Sequence, residues 1–311
     1  MGRVTKHRSS ILVMGALLVV VALVVFSRGS DDEPLDDAGV PIGLAIIHAA
    51  QSGCGGEPTV EWTGGTWRCT FSDAFEGRGV DLTKWTVLTS GKYGFRSGVA
   101  CFVNDRSNVS VASGRLHLTV RPVARTFRCP YRRGFVTRYT GGMVTTLEHF
   151  DQTYGRFEIR ARFPAAKVAG LKSGIWLWPS AQNYGRWPRS GEIDVAEYYS
   201  RRFDRVIPFV HYASAGRDPT VTNNSCLVQH PDRFHTYVLE WTPDAITIAF
   251  DGQVCVRTGW DRAAPLVNPA PFNRPFYLNM TQTLGTSGNA FNPAATPLPA
   301  TMEIDYVHIW G

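Results

Sequence analysis

Residues 156–163 read Arg-Phe-Glu-Ile-Arg-Ala-Arg-Phe, and every second side chain in this stretch is apolar. This period of two is typical of a β-strand that buries one face and exposes the other. Residues 116–120, Leu-His-Leu-Thr-Val, repeat the pattern, and residues 302–310 have the character of a last strand. Asp251-Gly follows the apolar residues 246–250 and signals a hairpin. Because no long helical period follows residue 70, we predict an all-β fold, an antiparallel β-sandwich.

Size and charge exclude several other classes of protein. The 311 residues, 44% of them hydrophobic, suffice for one large domain with a full core. The net charge of +6 includes four basic residues among the first thirty, where no acid occurs, so the remainder is nearly balanced. The sequence has no evident basic stripe, and we therefore expect no nucleic-acid partner.

The N-terminus has the pattern of an export signal. Residues 1–10 carry basic side chains, and residues 11–26 form an unbroken run of apolar or glycine residues. A membrane span needs roughly 20 apolar residues, so both a cleaved signal and a signal-anchor fit residues 1–28. We expect a secreted or extracytoplasmic protein, tethered through residues 11–26 if the segment is retained. Residues 29–68 are predicted to be a linker and N-terminal extension.

The six cysteines fit an exported protein. None lies in a Cys-x-x-Cys pair or at zinc spacing from a histidine, so disulfides are favoured over a metal site. Many pairings are possible, and we expect the sequential one, 54–69, 101–129 and 226–255. Of these, only the last has local support, because both of its cysteines flank one hairpin-like stretch.

The chemistry-bearing feature is the run Gly191-Glu-Ile-Asp-Val-Ala-Glu197, which places three acids within six residues. Glu192 and Asp194 share one face of a strand, but a regular strand would turn Glu197 to the other face. A β-bulge near Val195-Ala196 would restore the face, and bulges are common beside active sites.

With that bulge, Glu192 and Glu197 would have Cα atoms roughly 13 Å apart, and their side chains could close to about 5 Å. Carboxylates at that separation suit a retaining glycosidase. Asp194 lies between the two glutamates and would keep their pKa values different, because neighbouring carboxylates raise the pKa of one member of the pair. Spacing alone also leaves open a cation site or a solvated surface.

The run resembles the signature of glycoside hydrolase family 16, in the bulged form of laminarinase-like endo-1,3-β-glucanases. Further matches follow in order through the chain, among them residues 71–75, 154–158, 174–179, 234–241 and 304–307. The resemblance spans about residues 69–311, the expected catalytic domain. It implies a jelly roll with a concave, open substrate cleft.

The resemblance also implies roles for individual residues. Glu192 would be the nucleophile, Glu197 the general acid/base and Asp194 the assisting residue, with no cofactor for catalysis.

The substrate contacts and a metal ligand follow from the same resemblance and from the aromatic residues near the acids. Residues expected to bind substrate are Trp176, Trp187, His211, Tyr198 and Gln282. Some members bind a structural calcium, for which Asp305 is the candidate ligand. Ala196 and the run 279–282 depart from the usual pattern, which leaves the identity of the polysaccharide open.

Three functions remain in competition. The first is endo-hydrolysis of a β-linked polysaccharide, β-1,3-glucan above all, by double displacement in a monomeric enzyme. A glycan transglycosylase would use the same residues. A non-catalytic, cell-wall glycan-binding protein is disfavoured by the intact acid triplet.

Overall fold

The computed structural model describes residues 53–216 and 220–311. Within these ranges the chain is almost entirely strand and turn. The strands are β1 Thr59–Trp62, β2 Gly65–Asp73, β3 Thr86–Val87, β4 Cys101–Phe102, β5 Val109–Ala112, β6 Arg115–Cys129, β7 Phe135–Thr145, β8 Gly155–Arg162, β9 Leu171–Pro179, β10 Glu192–Tyr199, β11 Ile207–His211, β12 Thr220–Thr222, β13 His235–Trp241, β14 Ile246–Phe250, β15 Gln253–Thr258, β16 Phe276–Leu284 and β17 Ala300–Trp310. Among the described residues, helix is limited to α1, Ser90–Tyr93, and two 3-10 turns, Ser200–Arg202 and Ser287–Asn289.

The strands form two packed layers, which confirms the antiparallel β-sandwich predicted from the sequence. The front sheet has the order β3-β7-β16-β9-β10-β11-β12. In the back sheet the order is β5-β6-β17-β8-β13-β14-β15, and β2 pairs with the C-terminal part of β17. Every neighbouring pair in these two orders is antiparallel. Strand β4 pairs in parallel with β7 at the edge of the front sheet.

The alternation in residues 156–163 follows from the position of β8 in the back sheet. Its apolar side chains, Phe157 and Ile159 among them, are fully buried between the sheets. The charged side chains lie on the outer face, where Arg156 pairs with Glu240 at 2.7 Å and with Glu158 at 2.6 Å. One face of the strand thus supplies hydrophobic burial and the other supplies cross-strand charge pairs.

The predicted hairpin between β14 and β15 is present. Asp251 and Gly252 both have positive φ, 47° and 78°. Two consecutive residues in this conformation form the turn whose twist matches antiparallel strands, and Asp-Gly adopts it at low cost. The three disulfides join the expected pairs: Cys54–Cys69, Cys101–Cys129 and Cys226–Cys255.

Within the predicted linker and N-terminal extension, residues 53–68 are folded and pair with the rest of the sandwich. Strands β1 and β2 form a hairpin, and the indole of Trp310 donates a hydrogen bond to the carbonyl of Glu57 at 2.7 Å. Trp67 is buried with Cys54 and Trp310. Residues 53–68 therefore pack on the end of the last strand, because that contact removes the Trp67 side chain from water. The predicted signal segment and residues 29–52 lie outside the described residues, and no helix in the described part is long and apolar enough to cross a membrane.

Candidate active site

The three acids lie on β10, and the expected bulge brings them to one face. Asp194 pairs with Trp176 of β9, whereas Ala196 pairs with the next residue, Ile175, so Val195 is the additional residue. Ile193 and Tyr198 consequently point into the core while the acids face outward from the front sheet.

Gly191 sets the start of this strand. It has φ of +84°, and a Cβ there would lie 2.7 Å from the ring of Phe272. A left-handed conformation and close aromatic packing both favour glycine at this position. The turn thereby fixes the point at which Glu192 enters the strand.

Glu192 is held by a tryptophan from the preceding loop. The indole Nε1 of Trp187 donates a hydrogen bond to Oε2 of Glu192 at 2.6 Å, although half of the Trp187 side chain is exposed. Burial, followed by the negative charge of Asp194, raises the pKa of Glu192 to about 8. Glu192 in the substrate-free site is therefore a mostly neutral acid at pH 7.

Asp194 is the most enclosed of the three acids, with 4% of its surface exposed. Nε2 of His211 lies 3.2 Å from its Oδ2, and Nδ1 of the same ring is 2.9 Å from the hydroxyl of Thr220. Burial and then the charge of Glu197 raise the pKa of Asp194 well above its usual range, against a smaller lowering by Lys172. The two contacts of His211 fix the orientation of its ring, and the ring in turn fixes Asp194.

Glu197 is bound at both carboxylate oxygens. The ammonium of Lys172 lies 2.7 Å from Oε1, and the hydroxyl of Tyr199 donates a hydrogen bond to Oε2. Burial acts to lower the pKa of Lys172, but the charge and hydrogen bond of Glu197, together with the charges of Asp194 and Glu192, give a net rise. Lys172 is thus a cation, and it fixes the position of the Glu197 carboxylate through a charge-assisted contact.

The acids open into a cavity of about 540 Å³ on the front sheet. Its walls come from the segment 88–97 and from side chains of β7, β9 and β16. The cleft-facing residues of β9 and β16 include Trp176, Trp178, Tyr277, Asn279, Thr281 and Thr283. Aromatic rings and hydroxyl or amide groups together suit a sugar, which has both apolar C–H faces and hydroxyls.

Trp176 lies in the cavity, as the sequence analysis expected, and shares its face with Trp178. Its ring stacks on Phe95 at 5.5 Å, and its Nε1 donates a hydrogen bond to the hydroxyl of Thr281 at 2.8 Å. Nearby, Oδ1 of the buried Asn279 has no hydrogen-bond partner among the described residues. A buried acceptor beside a fixed aromatic plane is a favourable contact for a ligand hydroxyl.

Two of the residues expected to contact substrate, Tyr198 and Gln282, do not line the cavity. Tyr198 is 1% exposed, and its hydroxyl donates hydrogen bonds to the carbonyls of Pro164 and Ala166 in the core. Gln282 is fully buried, with Ser173 donating to its Oε1 at 2.5 Å. Both residues follow a cleft-facing residue, Glu197 and Thr281 respectively, and the strand alternation turns them to the other face.

The expected calcium ligand does not fit a metal site. The carboxylate of Asp305 forms an ion pair with Arg160 and lies 3.7 Å from Nε of Arg115. The guanidinium groups of Arg160 and Arg115 already neutralise the negative charge of Asp305, and calcium binding depends on that negative charge. Elsewhere in the described residues, side-chain atoms of Glu192, Asp194 and His211 lie within 4.8 Å of one another, close enough for a cation. The His211–Asp194 and Trp187–Glu192 hydrogen bonds already engage these groups.

Lys172 was missed by the sequence analysis, although the signal for it was present. Residues 172, 174, 176 and 178 share one face of β9 because side chains alternate along a strand. The same parity that placed Trp176 and Trp178 together also places Lys172 in the cleft. Its cross-strand neighbour is Tyr199.

Comparisons with known proteins agree with this geometry. The family model described as "Glycosyl hydrolases family 16" matches residues 98–308. The "Glucan endo-1,3-beta-glucosidase A1" of Niallia circulans is 28% identical over 77% of this chain, which spans 37% of that relative. The "Beta-glucanase" of Rhodothermus marinus is 30% identical, with 78% of this chain and 85% of the relative covered. The crystal structure of the Rhodothermus marinus laminarinase superposes with a TM-score of 0.66 at 29% identity, covering 78% of this chain and 97% of that one. The chain therefore belongs to glycosyl hydrolases family 16 and is a glycoside hydrolase.

Proposed function

We propose that this protein is an endo-acting hydrolase of a β-linked glucan, with β-1,3-glucan as its substrate, and that it retains the anomeric configuration. The observation that carries the proposal is the bulge at Val195, which aligns Glu192, Asp194 and Glu197 on the face of an aromatic-lined cleft. The relatives named as endo-1,3-β-glucosidase and laminarinase support this choice of substrate.

In the proposed reaction, Glu192 attacks the anomeric carbon and forms a covalent glycosyl-enzyme ester. Glu197 gives its proton to the leaving glycosidic oxygen, so that bond breaks as the new one forms. A water molecule then attacks the anomeric carbon, Glu197 takes the water's proton, and the bond from that carbon to the Glu192 carboxylate breaks.

This assignment requires a proton to move from Glu192 to Glu197 when substrate binds. In the free site Glu192 carries the raised pKa, and Glu197 is paired with Lys172. Double displacement needs Glu192 ionised and Glu197 protonated. Asp194 interacts electrostatically with both glutamates and has a raised pKa itself, so it is the group suited to pass the proton.

The surrounding residues serve this chemistry by position. Trp187 and His211 hold Glu192 and Asp194 through hydrogen bonds, which restricts the rotamers of the two acids. Trp176 and Trp178 offer flat apolar surfaces to the faces of sugar rings. The unpartnered Oδ1 of Asn279 accepts a hydrogen bond from a sugar hydroxyl.

We also propose that the protein works outside the cytoplasm as a monomer, with residues 11–26 as a membrane tether if they are retained. Three disulfides support the extracytoplasmic location, because such bonds persist in oxidising compartments.

The test is the action of the purified full chain on laminarin, with product sizes from mass spectrometry and product configuration from proton NMR. We expect internal cleavage, early β-anomers, and a loss of at least about 1,000-fold in kcat/KM in Glu192→Gln. Glu76→Gln, an exposed site away from the cleft, is the control and should keep full activity. Full activity in Glu192→Gln would overturn the nucleophile assignment. Glycan transfer to a labelled oligosaccharide in preference to water would identify a transglycosylase, and binding without turnover would identify a lectin-like protein.

A further inference from the structure

One segment beside the cleft is strongly basic. Residues 106–147 contain eight arginines and no acidic residue or lysine. Six of the arginines fall within residues 121–140, the paired ends of β6 and β7, which we call the arginine hairpin. They are Arg121, Arg125, Arg128, Arg132, Arg133 and Arg138. The nearly balanced charge of the chain after its first thirty residues hid this stretch from the sequence analysis, which found no basic stripe.

The arginine hairpin has little local counter-charge, and the acid that interacts with it is Asp105, beside Arg121. None of its six arginines forms an ion pair with an acid in the described part of the chain. All except Arg121, which is half-buried, are exposed. Between Pro122 and Phe127, β6 bulges opposite Arg138 of β7, and Arg125 lies in that bulge. Like charges across a strand pair repel, and a bound anion would offset that cost.

The arginine hairpin is also tied to the wall of the cleft. The Cys101–Cys129 disulfide joins it to the segment that continues from Phe95 and Arg96, both of which line the cavity. The hydroxyl of Thr137 donates a hydrogen bond to the carbonyl of Val99 at 2.8 Å.

Arg96 makes the most direct connection. Its guanidinium lies 3.9 Å from the ring centre of Phe135, the first residue of β7. Arg96 is exposed and lines the same cavity as Glu192 and Glu197. Arg96 therefore links the cavity to the arginine hairpin through a cationic side chain.

From this continuity we infer that the cleft continues onto the arginine hairpin as a binding site for an anionic polysaccharide, one that carries carboxylate, sulfate or phosphate groups along a β-glucan-like backbone. Guanidinium groups bind such oxyanions through paired hydrogen bonds. Tyr131 and Phe135, which lie under Arg132 and Arg96 respectively, add aromatic surface for sugar rings. The inference rests on the proposed hydrolase activity and narrows its substrate class.

A polysaccharide fits better than a lipid surface because the basic groups reach into the catalytic cavity. Arg96 lines the catalytic cavity, and a polymer chain can follow that concave surface whereas a flat bilayer does not. Electrostatic attraction of a polymer along this path would also raise its rate of association.

The test compares neutral laminarin with carboxymethylated β-1,3-glucan, which has the same backbone with added carboxylates. The test variant is Arg125→Gln/Arg132→Gln/Arg138→Gln, and the matched control is Arg78→Gln/Arg233→Gln/Arg257→Gln, which removes three exposed arginines elsewhere. We expect the test variant to lose about tenfold or more in kcat/KM on the carboxymethylated glucan, through KM. Laminarin turnover should stay within about twofold, and high salt should erase the difference.

Equal effects of the two triple variants on the anionic substrate would overturn the inference. If the wild-type chain cleaves neither glucan, the proposed function fails, and affinity electrophoresis in gels containing the carboxymethylated glucan tests the arginine hairpin by itself. Retardation that the test variant loses and the control keeps would support the site. Binding to phosphatidylglycerol vesicles or single-stranded DNA without retardation by the anionic glucan would overturn it.

Discussion

The ammonium of Lys172 lies 2.7 Å from a carboxylate oxygen of Glu197, the proposed general acid/base. Tyr199, directly across the strand pair from Lys172, donates to the other oxygen of the same carboxylate. A general acid must hold a proton when substrate is bound, and here a cation lies beside the carboxylate that would carry that proton. Lys172 is therefore a positioning residue that affects the pH at which the site is active.

Replacing Lys172 by methionine should move the pH profile of kcat/KM to higher pH. The charge of Lys172 acts to lower the pKa of Asp194, which lies between the two glutamates. Without that charge, Asp194 keeps its proton to higher pH, so the basic limb should move upward. Lys172→Arg keeps the charge and should keep the profile. A lower kcat with an unmoved profile in Lys172→Met would mean that the lysine only supports the local structure.

A second expectation concerns stability rather than rate. Glu192 has its pKa raised from 4.5 to about 8 in the folded protein, so the native state favours the neutral carboxyl. The stabilisation from this group is complete below about pH 4.5 and is lost as the pH rises through about 8. Glu192→Gln should therefore match the wild type at about pH 4 and be more stable by about 1–3 kcal/mol at about pH 9.

Urea unfolding at both pH values measures this difference. Glutamine keeps an acceptor for the Trp187 indole, so the hydrogen bond survives the change. Glu76→Gln should leave the free energy of unfolding unchanged at each pH. A Glu192→Gln variant that is less stable than wild type at high pH would contradict the raised pKa.

The alternation of apolar residues was enough to predict the sandwich, because burial between two sheets imposes a period of two on every inner strand. The same rule, with one inserted residue, placed Glu192, Asp194 and Glu197 together. The alternation of side chains along a strand also predicts two positions that the sequence analysis did not use. Tyr198 should point away from Glu197, and Lys172 should share the face of Trp176. These positions were readable from the sequence once the strands were fixed.

Other parts of the site depend on contacts between distant segments. His211 reaches Asp194 because β11 pairs with β10, and the sequence does not state that pairing. Arg96 meets Phe135 through the loop that the Cys101–Cys129 disulfide holds. Such contacts depend on strand order, and hydrophobic periodicity carries no information about strand order.

The Cys226–Cys255 disulfide should contribute to stability without affecting the chemistry. It closes a loop with a sequence separation of 29 between the segment before β13 and strand β15. Removing a cross-link of this length by Cys226→Ser/Cys255→Ser should cost about 2–4 kcal/mol, because the unfolded chain gains freedom. The thermal midpoint should fall by about 5–15 °C. Below the transition, kcat/KM should remain within about twofold of wild type, and a large loss there would place the disulfide in the active-site framework.

The last expectation separates a cleft aromatic from a core aromatic. Trp176 lines the cavity, so Trp176→Ala should raise KM for laminarin and lower kcat/KM by about 10- to 100-fold through loss of a sugar-stacking surface. Tyr198→Phe removes only a hydroxyl that binds the carbonyls of Pro164 and Ala166. It should cost about 1–3 kcal/mol in stability and leave KM unchanged, because the ring stays stacked on Phe163.

Steady-state kinetics and thermal unfolding of both variants give the comparison. Trp176→Phe is the matched control for the cleft, since it keeps an aromatic face and should recover part of the affinity. A rise in KM for Tyr198→Phe equal to that for Trp176→Ala would show that the hydroxyl of Tyr198 influences the cleft. An unchanged KM in Trp176→Ala would remove this tryptophan from the sugar-binding surface, because the indole would then contribute only to packing against Phe95.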